Sequence, residues 1–95
     1  MQLKSLHDQN KNISTAVMFK TADTPVISLQ ILANQQLKEH ITKTPALLVC
    51  VLGVVAYSTE TGEKQMLEAG DFVRIEPNIK HWLDAETDSQ LLLIK

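Results

Sequence analysis

Cysteine occurs once, at Cys50, so no internal disulfide can form and the fold does not depend on an oxidising compartment. Arginine is as scarce: Arg74 stands alone, and the formal net charge is -2. A nucleic-acid binder carries a basic face, and this balance does not supply one. No apolar run approaches the ~20 residues needed to cross a bilayer; the longest spans Leu47 to Tyr57. The N-terminus, MQLKSLHDQNKN, has no hydrophobic stretch of the secretory kind. A soluble, cytoplasmic protein with neither nucleic acid nor membrane as partner is the expectation. Repeats, low-complexity segments and a convincing amphipathic helix are also missing.

What is present is the composition of one globular domain. In 95 residues, 44% are hydrophobic and 21% charged, enough for a single core and too few residues for a second. Residues 1–12 are polar and read as a flexible N-terminal lead-in, with His7 expected to be solvated. The domain follows over 13–95. Ile13 to Lys20 is rich in β-formers, and Thr21 to Pro25 breaks it. Val26 to Ala33 alternates, Val26/Ser28/Gln30 against Ile27/Leu29/Ile31, as a strand with one buried face does. His40 lies in the segment Leu37 to Thr42. Leu47 to Tyr57 reads as one buried strand, because its valines are β-branched and Gly53 weakens a helix. Ser58 to Glu63 is a polar hairpin loop with Gly62 free to take a positive φ. Short strands follow over Gln65–Ala69, Phe72–Glu76, His81–Ala85 and Gln90–Ile94. Many short, evenly spaced strands predict an all-β barrel or sandwich.

The stretch from His40 to His81 holds all three glycines and two of the three prolines. Its spacing resembles the paired signature of the cupin family. The first cupin motif, G-x5-H-x-H-x3-E-x6-G, anchors on Gly53 without a gap. Asn34 then stands at the first glycine, His40 at the first histidine, Thr42 at the second and Ala46 at the glutamate. The second, G-x5-P-x-G-x2-H-x3-N, anchors on Gly70, with Glu76 at the proline, Asn78 at the glycine, His81 at the histidine and Ala85 at the asparagine. The resemblance runs from about Val26 to Ile94. It implies a cupin-type double-stranded β-helix, a jelly-roll barrel, with His40 and His81 pointing inward and approaching each other.

In metal-bearing cupins these two positions bind a divalent metal with a second histidine and a glutamate, which are Thr42 and Ala46 here. A hydroxyl is a poor ligand and a methyl is none. Cys50 shares parity with Ala46, Leu48 and Leu52 and is therefore expected to face inward, but it lies about 13 Å along the strand from Ala46 at ~3.3 Å per residue. Glu39 and Glu76 are alternatives without a spacing argument. The expected cofactor is therefore none, or at most a weakly held Zn, Mn, Ni or Fe on His40 and His81. The expected ligand pocket comprises His40, His81, Thr42 and Cys50, with no catalytic residue assigned.

Three functions compete on this reading. One is a cupin that binds a small-molecule ligand without a tight metal. Another is a metal-dependent enzyme, dioxygenase- or isomerase-like, using His40 and His81. The third is a structural dimer with a vestigial pocket. A homodimer is expected in any case, because Leu47 to Leu52 and Leu91 to Ile94 are apolar on both strand faces and alternation normally leaves one face polar. Arg74 and Glu76, at i and i+2, are expected to form a surface ion pair.

Overall fold

The computed structural model describes residues 1–95. A 3-10 turn at Leu3–Leu6 precedes nine strands: β1 Ile13–Lys20, β2 Pro25–Ile31, β3 Gln36–His40, β4 Ala46–Leu52, β5 Val55–Thr59, β6 Lys64–Leu67, β7 Phe72–Ile75, β8 His81–Ala85 and β9 Ser89–Ile94. They form two antiparallel sheets, one in the order β1-β2-β9-β4-β7 and one in the order β3-β8-β5-β6. From β2 to β9 the chain crosses from sheet to sheet in the interleaved order of a jelly roll, with β1 added at one edge. No helix is long and apolar enough to cross a membrane.

The alternating side chains of both sheets meet in one core. Leu29, Ile31, Leu48, Cys50 and Leu91 come from the larger sheet, and Val55, Tyr57, Leu67 and Leu83 from the smaller. β8 shows the period-2 logic cleanly: His81, Leu83 and Ala85 are buried, while Trp82 and Asp84 between them are only half-buried.

Three sequence expectations need correction. The run Leu47 to Tyr57 is not one strand. It divides at Gly53, which has φ +97°, and β4 and β5 lie in different sheets. A Cβ at Gly53 would sit 2.7 Å from the Asp88 carbonyl oxygen and would collide with Ser89, so only glycine lets the chain turn here. Just before this turn a bulge falls between Cys50 and Leu52 in the pairing with β9. It breaks the parity that put Leu52 inside, and Leu52 is 58% exposed. Finally, Ser58 and Thr59 are buried residues of β5, so the loop begins only after Thr59.

The N-terminal segment brings a fourth correction. His7 is not solvated but buried, with 8% of its surface exposed. Its Nδ1 lies 2.8 Å from Ser14 Oγ on β1, and its Nε2 lies 2.8 Å from Ser28 Oγ on β2. Gln9 donates to the Gln30 side chain at 3.1 Å. These contacts cover the outer face of β2, where one polar, solvated face was expected; Ser28 and Gln30 are instead fully buried. Further along the same outer face Val26, Leu47, Val49, Leu92 and Ile94 are half-buried and Phe72 is exposed.

Candidate functional site

β3 and β8 carry the two histidines of the motifs as direct antiparallel partners, His40 opposite His81. Leu37 pairs with the core residue Leu83, so an unbroken register would bring Glu39, not His40, opposite His81. A one-residue bulge between Leu37 and His40 resets the alternation and turns His40 to the inner side. The ring centroids lie 4.1 Å apart with planes tilted by 58°. Tyr57 on β5 stands behind, its ring 6.0 Å from that of His81.

Each ring is oriented by the carbonyl two residues before it. His40 Nδ1 lies 3.1 Å from the Lys38 carbonyl oxygen, and His81 Nδ1 lies 3.3 Å from that of Ile79. A carbonyl only accepts, so both Nδ1 atoms carry hydrogen and donate. In the neutral rings Nε2 is then the free lone pair. His81 is 2% exposed and His40 is exposed. Burial, and secondarily the neighbouring His40, push the His81 pKa below its usual value, while the Ile79 carbonyl pulls weakly the other way.

Thr42 follows β3 and closes the group. Its carbonyl accepts from the Asn78 N–H at 2.8 Å, which ties the residue to the turn ahead of β8. Its hydroxyl is buried and has no partner. His40, His81 and Thr42 together line an inner cavity of about 20 Å³, whose remaining wall is Leu29, Leu37, Leu48, Ile75, Leu83 and Leu93. Outside it lies a cleft of about 620 Å³ between β3 and the inner side of β1 and β2. Ile13, Val17, Ile27, Leu29, Leu37 and Leu93 give the cleft apolar walls, and Thr15, Gln36, Lys38 and Lys95 give it polar ones. His40 borders both spaces. Neither Lys38 nor Lys95 belongs to an ion pair.

The remaining candidates stand elsewhere. Cys50 faces the core as parity predicts, but it lines neither space. Its Sγ donates to the carbonyls of Leu52 and Gly53 at 3.8 and 3.6 Å, and burial, then Asp71, pushes its thiol pKa up. It is a small core residue and leaves the expected pocket. Glu39 faces Lys80 at 4.0 Å, and Glu76 faces Arg74 at 3.8 Å, the ion pair expected on the surface. Asp71 accepts from the Glu68 N–H at 2.8 Å as a turn residue. No three His, Cys, Asp or Glu side chains gather where they could hold one metal ion. Two imidazoles, a threonine hydroxyl and an alanine at the glutamate position do not fit a tightly resident divalent metal.

The motif reading missed the outer cleft. Its β1 wall, Ile13, Thr15 and Val17, was legible only as part of a segment rich in β-formers, and Lys38 and Lys95 carried no signal at all.

No family model matches the chain, and no curated protein matches it in sequence. Solved structures do match it in three dimensions. A cupin-superfamily protein from Desulfitobacterium hafniense superposes with a TM-score of 0.86 at 10% identity, covering 98% of this chain and 84% of that one. A cupin-2 domain protein from Shewanella frigidimarina gives 0.81 at 17% identity over 97% and 86%. A cupin 2 conserved barrel domain protein from Leptotrichia buccalis gives 0.83 at 20% identity over 98% of this chain and 45% of that one. With its jelly-roll strand order and this likeness, the chain has the cupin fold, in the form of one small barrel.

Proposed function

We propose that this protein binds a small organic molecule in the cleft between β3 and the β1–β2 wall, without a tightly bound metal. The observation that carries the reading is the shape and lining of that space: about 620 Å³, mostly apolar, with a few polar groups converging at its inner end. Small-molecule sites have this character. The metal-dependent alternative finds less support, because the donor set beside His40 and His81 lacks a third strong ligand. Titration with an anionic amphiphilic dye, 8-anilinonaphthalene-1-sulfonate, whose aromatic body suits the apolar walls and whose sulfonate suits Lys38 and Lys95, followed by amide and side-chain NMR shifts, tests the cleft. Shifts should gather at Ile13, Ile27, Leu37 and His40. Shifts confined to the apolar hollow of about 360 Å³ around Leu3, Leu6 and Met18 would overturn the reading.

We propose also that two copies pair through the outer face of the five-stranded sheet. The support is the half-buried stripe of Val26, Leu47, Val49, Leu92 and Ile94 flanked by exposed Phe72, since apolar surface of this kind favours a partner over water. Light scattering at micromolar concentration should give the mass of two chains, and Phe72→Glu should lower it. A one-chain mass for the unaltered protein would refute pairing.

A further inference from the structure

The inner cavity is different in kind from the cleft that leads to it. At about 20 Å³ it admits one water-sized group and nothing larger. Three polar side chains border it, and their hydrogen-bonding capacities are unequal. The Nδ1 atoms of His40 and His81 are committed to the Lys38 and Ile79 carbonyls, so each neutral ring has only the Nε2 lone pair left. Thr42 Oγ1 has no partner in a residue more than nine-tenths buried. A buried hydroxyl without a partner is unfavourable, and native structures rarely keep one unless something polar completes it. The group that fits must give hydrogen to a nitrogen lone pair and exchange a hydrogen bond with a hydroxyl.

We infer that the His40–His81–Thr42 cluster is a subsite for one neutral hydroxyl group of the bound molecule, occupied by a single water when the cleft is empty. The inference rests on the cleft being a small-molecule site. The hydroxyl hydrogen goes to an imidazole Nε2, and the hydroxyl oxygen accepts from Thr42. A carboxylate does not fit: it offers only acceptors to two acceptor nitrogens and needs room for a second oxygen. An ammonium has the hydrogens, but no carboxylate borders the cavity to offset its charge, and Lys38 and Lys95 line the way in. The ligand is thus an alcohol with an apolar body, the body lying along β1 and β2 and the hydroxyl passing His40.

Three probes of one shape separate the cases: hexan-1-ol, hexanoate and hexylammonium, titrated in the presence of a chelator and followed by NMR. Hexan-1-ol should bind tightest and shift the His40 and His81 ring signals. Thr42→Val should weaken it about five-fold, the fold-change of one hydrogen bond, while Thr42→Ser, which keeps the hydroxyl, should bind as the parent does. The Thr42→Ser protein also controls for damage to the fold. Equal or tighter binding of hexanoate or hexylammonium overturns the inference, as does unchanged alcohol affinity in Thr42→Val. Shifts at Ile13, Ile27 and Leu37 with none at either histidine overturn the hydroxyl subsite but leave the cleft. No shifts with any probe overturn the cleft reading and the subsite with it.

Discussion

His7 and His81 are both buried, and in both burial depresses the pKa, yet their rings are used differently. His7 engages both nitrogens with hydroxyls of β1 and β2 and so ties the N-terminal segment to the outer face of the sheet. His81 commits one nitrogen to the Ile79 carbonyl just ahead of β8 and presents the other side of its ring to His40, Thr42 and a cavity. Neither burial nor pKa direction distinguishes a structural histidine from one free to act. The inventory of ring partners does: a ring with both nitrogens engaged has nothing left for a ligand.

The strongest test of this contrast is His7→Ala. It removes two hydrogen bonds and strands Ser28, which has no exposed surface. A loss of about 2–4 kcal/mol in urea unfolding is expected, from two bonds and a buried hydroxyl left without its partner. His40→Ala, at an exposed residue with one backbone bond, should lose less than about 1 kcal/mol. The alcohol affinity should follow the opposite order. Should His40→Ala unfold more readily than His7→Ala, the division between the two kinds of histidine would be wrong.

These differences explain what was legible beforehand. Motif spacing located His40, His81 and Thr42, because glycines such as Gly53 and Gly70 occur where the backbone takes a positive φ and so fix the register of the barrel. Alternation found most strands. It failed at Leu52, which it put inside, because a bulge resets parity there; the bulge at Lys38–Glu39 that turns His40 inward likewise has no sequence mark. Gly53 was legible as a helix breaker, but its contact with Asp88 and Ser89, the reason β4 and β5 separate, joins residues far apart in the chain. His7 was illegible for the same reason. Its partners Ser14 and Ser28 are 7 and 21 residues away, and a polar N-terminus gives no hint that it will fold back.

A second test completes the His81 surroundings instead of breaking those of His7. Thr42→His adds a third imidazole at the cavity wall, the smallest set that commonly holds zinc with one position open. With Zn²⁺ at about 100 times its dissociation constant the folded state should gain about 2–3 kcal/mol, read as a rise in Tm. The unaltered protein should respond much less. An equal response from both would mean that two imidazoles suffice here and that the metal-free reading is mistaken.

The smallest effect, and the one shared by both histidines, is on the pH dependence of stability. Both have folded pKa values below the ordinary 6.5, so above that pH they are neutral in either state and their contribution to stability is complete. As pH falls below 6.5 the unfolded chain takes up protons first. It then binds more protons than the folded chain, and stability must decline with falling pH until the folded-state pKa values are passed. Protonation does not break the contacts of His7, since a charged ring can donate to both Ser14 and Ser28; the penalty comes from burying the charge. The slope between about pH 6.5 and 5.5 should therefore be shallower in His7→Gln, whatever the absolute stability of that variant, and a part belonging to His81 should remain. A bound alcohol whose hydrogen is held by His81 Nε2 should steepen the remaining part, because the protonated ring can no longer accept it. Urea unfolding at stepped pH, with and without hexan-1-ol, measures both slopes. Stability that rises as the pH is lowered through this window would show that burial does not govern these two rings.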